Sequence, residues 1–347
     1  MSQGSTSLPP RSGARQPVKA KKQKPPKKRS VVKTFLVLLF GLLLIVAAAL
    51  AYVVFKTNDA LDTIGTDNNS VVIPAGESVK EKAVAIALLG LDSRAHGGGL
   101  NTDVMMVAVL NPNTKSATVV SIPRDSKIDV DGYKERKANE FYAAFYNSAK
   151  KEGMETEAAQ ADAKQHVRTV LGELFGIEVK YTAVINFQGF ADVVNALGGV
   201  EVDVDMRMKY TDSQDGTNID LQEGVQVLDG DKALDFVRYR KSNDGKNMSS
   251  DFDRNKRQSE VIGALVDKMK SLSGAAKLGS VIEAVGNNMK MDMPSNEIKN
   301  LLQEYFGISR SDVTFIPLEG NWRSPYVYLD DVKLDEARAA LKAKMAE

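Results

Sequence analysis

The amino-acid sequence predicts an α/β protein, with a mixed central β-sheet sandwiched between helical layers and one N-terminal transmembrane helix ahead of them. Three observations carry this expectation. The runs "AVAIALLGL", "VMMVAVL" and "SATVVSI" are short, continuous and apolar, as strands buried on both faces are. Amphipathic patterns over 139–175, 252–272 and 296–306 supply helices to cover them. From Phe35 to Phe55 there is no charged residue. As a helix rising about 1.5 Å per residue, that run spans a hydrocarbon core of about 30 Å.

The elements follow in chain order. Within 347 residues carrying 46 basic and 45 acidic side chains, the segment Met1 to Lys33 holds ten Lys or Arg and no acid. The basic excess therefore belongs to the tail, and the rest of the chain carries a balance of −9. The tail, "KAKKQKPPKKRSVVK" included, is too rich in Pro, Lys and Ser to bury a core, so residues 1–33 read as disordered. The apolar segment, taken as 34–55, is longer than the roughly 7 to 15 residues of a signal-peptide core, and its small residues "AAALA" sit inside the run. An uncleaved anchor is expected rather than a cleaved signal. Basic flanks stay cytoplasmic, which places the N-terminus inside a cell membrane crossed once, the remainder outside, and membrane lipids beside the tail. Residues 56–80, polar with Gly and Pro, read as an extracellular linker. The chain has no cysteine, which excludes disulfides and thiolate metal sites.

The globular domain is expected over 81–320, with 321–347 as a C-terminal extension of helical character. After the three apolar runs, "KYTAVINF", "QGFADVVNALGG" and "VEVDV" read as strand, helix and strand, a βαβ-like unit. Strand one ends at Asp92, the loop "SRAHGGGLNT" turns back, strand two begins after Asp103, and strand three returns to Pro123 and Arg124. If sequential strands are neighbours, Asp92, Arg94, Asp103 and Arg124 converge at one sheet edge.

A second constellation lies in "RYRKSNDGKNMSSDFDRNKRQ". Ser249, Ser250 or Asp251 can cap a helix on which Arg254 and Gln258 head the apolar stripe of Val261 or Ile262, Leu265 and Met269. Burying an unpaired guanidinium costs several kcal/mol, so Arg254 is expected to meet an anion, either a ligand or an internal carboxylate such as Asp251. Other chemistries find little support. His96 and His166 are the only histidines and are far apart in sequence, which gives neither a zinc set nor a Ser-His-Asp arrangement. "HGGGL" lacks the spacing of a P-loop or a dinucleotide fingerprint, and no helix-turn-helix or aromatic platform accompanies the basic tail, so no nucleic-acid partner is expected.

"GLDSR", "NTDVMMVAVLNP", "SIPRD", "LGGVEV", "LDGDKALDFVRYR" and "DFDRNKRQ" resemble, in order and spacing, the motifs of the LytR-CpsA-Psr family over roughly residues 83–272. The resemblance implies an α/β/α sandwich whose apolar tunnel holds a polyprenyl-pyrophosphate-linked glycan. It also implies transfer of the glycan phosphate, teichoic acid or capsule-like, onto peptidoglycan. Carried over by motif, Asp92 and Asp103 match the family's acidic metal-site positions, Arg124 the arginine of its "PRD", and Arg238 and Arg240 its "RYR" pair. Asp251, Arg254 and Gln258 match its last motif. One departure is Asn101, where many members have a basic residue.

The residues' own chemistry agrees with that implication. A pyrophosphate is matched by bidentate donors, which Arg supplies and Lys does not; Arg124, Arg238, Arg240 and Arg254 fit, with Arg94 and Gln258 as further contacts and Asp251 in support. A carboxylate about 4 Å from a phosphate costs about 4 kcal/mol at an effective dielectric near 20. Asp92 and Asp103 therefore belong there only with a bridging cation, and oxygen ligands beside phosphate favour Mg²⁺, or Mn²⁺, over zinc. The catalytic set is then Asp92, Asp103, Arg124 and Arg254, with the general base left open between the two aspartates. Water as acceptor, making the protein a hydrolase, and a non-enzymatic sensor of wall precursors are the alternatives.

Overall fold

The computed structural model describes residues 58–66, 73–91, 99–213, 216–286 and 288–347, all within the unit Ala51–Glu347. The tail and the apolar segment expected at 34–55 lie outside them. Among the described residues no helix is long and apolar enough to cross a membrane.

Strands β1 (Val84–Leu91), β2 (Thr102–Asn111) and β3 (Ser116–Ser121) are the three apolar runs, and they are sequential antiparallel neighbours. Among the later strands are β4 (Tyr181–Asn186), β5 (Val200–Val204), β6 (Gly224–Leu228), β7 (Met289–Met291), β8 (Val313–Pro317), β9 (Gly320–Arg323) and β10 (Tyr326–Leu329). One six-stranded mixed sheet runs β7-β4-β1-β2-β3-β8, with β4 parallel to β1 and β8 parallel to β3. Both faces are covered, which is why β1 to β3 have no polar alternation.

On one face lie α1 (Phe141–Lys151), α2 (Thr156–Phe175) and, from the chain's end, α8 (Asp331–Ala346), packed over Ala85, Ala87, Leu89, Val107 and Val109. The helix expected across 139–175 is therefore two, parted where Gly153 takes φ +88°. Gly176, at φ +64°, ends α2 in the left-handed conformation that favours glycine. The opposite face meets α3 (Phe187–Ala196), α4 (Gly230–Arg238), α5 (Asp251–Lys270), α6 (Leu272–Gly286) and α7 (Ser295–Tyr305), with cores around Ile86, Ile298 and Met106.

Three expectations are corrected. Strand β5, "VEVDV", does not complete a βαβ unit: it leaves the main sheet and pairs antiparallel with β6. Its strict alternation of buried valine and exposed acid suits a ribbon with one wet face, and could not be buried on both faces of a parallel sheet. The linker ends before residue 80, since residues 58–64 are helical and Ala60, Leu61 and Ile64 are buried with Met293 and Ile298. Residues 321–347 are part of the domain: α8 buries Leu334, Ala337 and Leu341 in the main core, and β9 and β10 form a hairpin.

Helices α3, α4 and α5 hold the site, and each start is fixed by a side chain. The Asn186 side chain accepts from the Gly189 N–H at 2.8 Å, and that of Asp229 from Lys232 at 2.9 Å. Ser250 and Asp253 form a reciprocal capping box on α5. In "LDGDKAL", Gly230 lets α4 cross α3 at backbone contact, because a Cβ there would overlap the carbonyl of Ala191.

Candidate functional site

Between the sheet and α3 to α5 lies a cavity of about 640 Å³. Leu88, Met106 and Ile185 of the sheet form one wall, and Phe190, Leu234 and Ile262 of the helices the other. Where β2 begins and β3 ends, the lining turns polar, with Asp103, Arg124, Arg238, Arg240, Arg254 and Gln258.

The geometry of this polar end is dominated by crowded guanidiniums. Arg254 is 5% exposed, and burial first, then the Arg240 and Arg124 charges, push its pKa down to about 9, so it remains a cation at neutral pH. Arg240 reaches solvent at the mouth, yet the protein packed around it and the charge of Arg124 lower its pKa as well. Asp103 forms an ion pair with Arg124, and Asp251 one with Arg254. The Nε atoms of Arg124 and Arg254 are nevertheless buried without a hydrogen bond, Asp125 Oδ2 lying 3.9 Å from that of Arg124, and such groups cost free energy unless water, an ion or a ligand meets them. Arg238 stacks its guanidinium 4.6 Å from the centre of the Phe187 ring. One turn earlier on α4, burial raises the Asp235 carboxyl to about 6 against the pull of Arg238.

The predicted residues divide clearly. The structure brings together Asp103, Arg124, Arg238, Arg240, Arg254 and Gln258 at the cavity. Arg254 has Asp251 as its ion-pair partner and also lines the cavity. Arg257 belongs elsewhere: 2% exposed, it forks onto Asp205 with two bonds of 2.8 Å and donates to Ser249 Oγ at 2.9 Å. Asp92, Arg94 and His96 lie outside the described residues. His166 stacks on Phe145 at 4.8 Å and sits 3.3 Å from the Tyr133 hydroxyl, away from the cavity lining. Sequence reasoning missed the apolar walls, whose residue types are those of any core, and Asp125, which receives Lys137 Nζ at 3.0 Å beside Arg124.

Among the described residues no group of three His, Asp or Glu could hold a metal ion. Asp103 is the one described member of the expected pair. Asp103, one oxygen of which pairs with Arg124, offers a single carboxylate, and Mg²⁺ is commonly held by one or two carboxylates with further oxygen ligands.

An α/β/α protein whose apolar cavity ends in guanidiniums defines a class: its site is apolar along its walls and cationic at one end. The LytR_cpsA_psr family model matches residues 50–343, and the chain belongs to that family. It is 31% identical over 273 residues to the polyisoprenyl-teichoic acid–peptidoglycan teichoic acid transferase TagU of Oceanobacillus iheyensis, covering 77% of this chain and 78% of the relative. The transferase TagV of Bacillus subtilis is 28% identical over 300 residues, covering 84% of this chain and 72% of the relative. A solved structure described as TagT bound to LIIa-WTA superposes with a TM-score of 0.56 at 27% identity, covering 80% of this chain and 100% of that one.

Proposed function

We propose that this protein is a membrane-anchored phosphotransferase that moves a glycopolymer phosphate from a polyprenyl-pyrophosphate carrier to peptidoglycan. The observation that carries the reading is the Arg124, Arg240 and Arg254 cluster at the end of an apolar cavity, with two buried guanidinium Nε atoms that make no hydrogen bond. The relatives, polyisoprenyl-teichoic acid–peptidoglycan teichoic acid transferases, support this reading.

In this reading the prenyl chain occupies the space between Leu88, Ile185 and Leu234. The arginines grip the pyrophosphate and spread its charge, so that negative charge growing on the bridging oxygen meets donors already in place. An acceptor hydroxyl oxygen bonds to the phosphorus that carries the glycan, and the bond to the lipid-side phosphate breaks. Polyprenyl monophosphate leaves, and the hydroxyl proton passes to a carboxylate. Asp103 can take that proton on the oxygen not held by Arg124, and Asp92 is the other candidate. Whichever of Asp92 and Asp103 does not take the proton would hold Mg²⁺ or Mn²⁺, which when bound supplies charge neutralisation for the leaving phosphate. Residues 34–55 anchor the protein with the tail cytoplasmic and the domain outside.

The test combines the full chain with a polyprenyl-pyrophosphate-linked glycan and peptidoglycan. Phosphodiester-linked glycan on the wall polymer together with free polyprenyl monophosphate is expected. Release of glycan phosphate into water, with none on peptidoglycan, would make the protein a hydrolase. Protease added to intact protoplasts should remove the domain and spare the tail, and a protected domain would overturn the topology.

A further inference from the structure

Transfer needs a second substrate held beside the arginines, and one exposed ring is linked to them by a short chain of contacts. Trp322 is the only tryptophan in the chain, and it is 57% exposed. It lies on β9 opposite Val327 of β10, whose side chain is buried and whose N–H donates to the Asp125 carbonyl at 2.9 Å. The two share a hairpin face, since residues directly opposite in an antiparallel pair point the same way. The outer edge of β10 at Val327 runs beside Asp125 and Ser126. Lys137 Nζ lies 5.7 Å from the centre of the Trp322 ring and 3.0 Å from Asp125 Oδ1, and Asp125 Oδ2 is 3.9 Å from Arg124 Nε, so the indole stands three contacts from the guanidinium end of the cavity. Tyr328 occupies the other face of the hairpin, with Lys127 at 5.7 Å and Arg323 at 5.3 Å from its ring.

We propose that Trp322 is the acceptor subsite: its exposed indole face stacks a sugar ring of the incoming glycan strand, and Lys137 beside it receives an acidic group carried by that strand. A β-linked hexosamine has equatorial substituents, which leaves axial C–H groups as an apolar ring face. Such a face suits an exposed indole, because it loses apolar surface to water without desolvating its hydroxyls. The place is decided by the reaction, which requires one acceptor hydroxyl to reach the phosphorus held by Arg124. Burial does not account for the ring, as more than half of it faces water although its hairpin neighbour Val327 is 3% exposed. This inference rests on the transferase reading and adds to it the acceptor's class and its contact.

Being the sole tryptophan, Trp322 reports on its own occupancy. Titrating the full chain in detergent with an uncharged oligomer of β-1,4-linked N-acetylglucosamine should give a saturable change in tryptophan emission. In the transfer assay Trp322→Ala should raise the acceptor KM about three- to tenfold. It should leave kcat and the thermal shift given by geranylgeranyl pyrophosphate unchanged. Trp322→Phe should recover most of the acceptor affinity, and Tyr328→Ala, on the opposite face, should leave it alone. An emission that ignores the oligosaccharide but responds to anionic phospholipid vesicles would overturn the proposal and make the ring a membrane contact. An unchanged KM in Trp322→Ala would overturn it equally. Failure of the transferase reading looks different: no pyrophosphate-induced shift and no transfer in the unmodified protein, with the emission titration still judging the subsite by itself.

Discussion

Arg254 and Arg257 stand one turn apart on α5, and their guanidiniums have opposite employment. Arg257 closes its fork on the Asp205 carboxylate, while Arg254 keeps a buried Nε without a partner at the cavity. Removing each should therefore do different things. Arg257→Ala should cost about 2–4 kcal/mol, because a packed and satisfied charge is lost, although Asp205 can turn toward water. Arg254→Ala should cost less in the unliganded protein, since it also relieves repulsion from Arg240 and Arg124. Denaturant unfolding of both variants checks the order, and an equal loss would count against the division.

Arg240→Ala should abolish most of the thermal stabilisation that a polyprenyl pyrophosphate confers, since ligands that bind only the folded state stabilise it by mass action. Its stability without ligand should barely change. Arg240→Lys should restore part of the response, because it returns a charge but not the planar fork. Melting curves of the three proteins with and without ligand decide this. A marked unliganded loss with an unchanged ligand response would turn the cluster into a structural one.

Asp92→Ala and Asp103→Ala should each reduce turnover in Mg²⁺ while far-ultraviolet circular dichroism stays unchanged. Asp103→Ala should in addition weaken pyrophosphate positioning, since Arg124 loses its ion-pair partner. Activity that survives chelator at full rate would remove the metal from the mechanism.

The raised Asp235 carboxyl gives a pH signature. Its folded value of about 6 lies above the ordinary 3.8, so its protonated form favours the folded state. That stabilisation is fully present below pH 3.8 and is lost as pH rises through about 6. Asp235→Asn should therefore match the natural protein near pH 4 and exceed it by about 1–2 kcal/mol at pH 7, allowing for partial solvent screening. Thermal unfolding across that range measures the crossover, and parallel curves would refute it.

Much of this was legible in residue order because the physics behind it is local. Unbroken apolar runs announced β1, β2 and β3, and a cap followed by a charged start to an apolar stripe announced Arg254 and Gln258. The fate of "VEVDV" was written in its alternation, but that signal competes with the usual pairing of a strand, helix and strand. The cavity walls were not legible, since Leu88, Ile185 and Leu234 differ from core residues only in what faces them. Arg257 could not be told from Arg254 without knowing that Asp205, far upstream, comes to meet it.

The close crossing of α3 and α4 has a wider meaning. Because Gly230 brings the Ala191 backbone within touching distance, the spacing between the helices carrying Phe187, Phe190, Leu234 and Arg238 is set by main chain and not by interchangeable side chains. The calibre of the cavity is thus a fixed dimension. Drift among its apolar lining residues can alter how well a given prenyl chain fits, but even a single methyl at position 230 would pry the helices apart and change the bore itself.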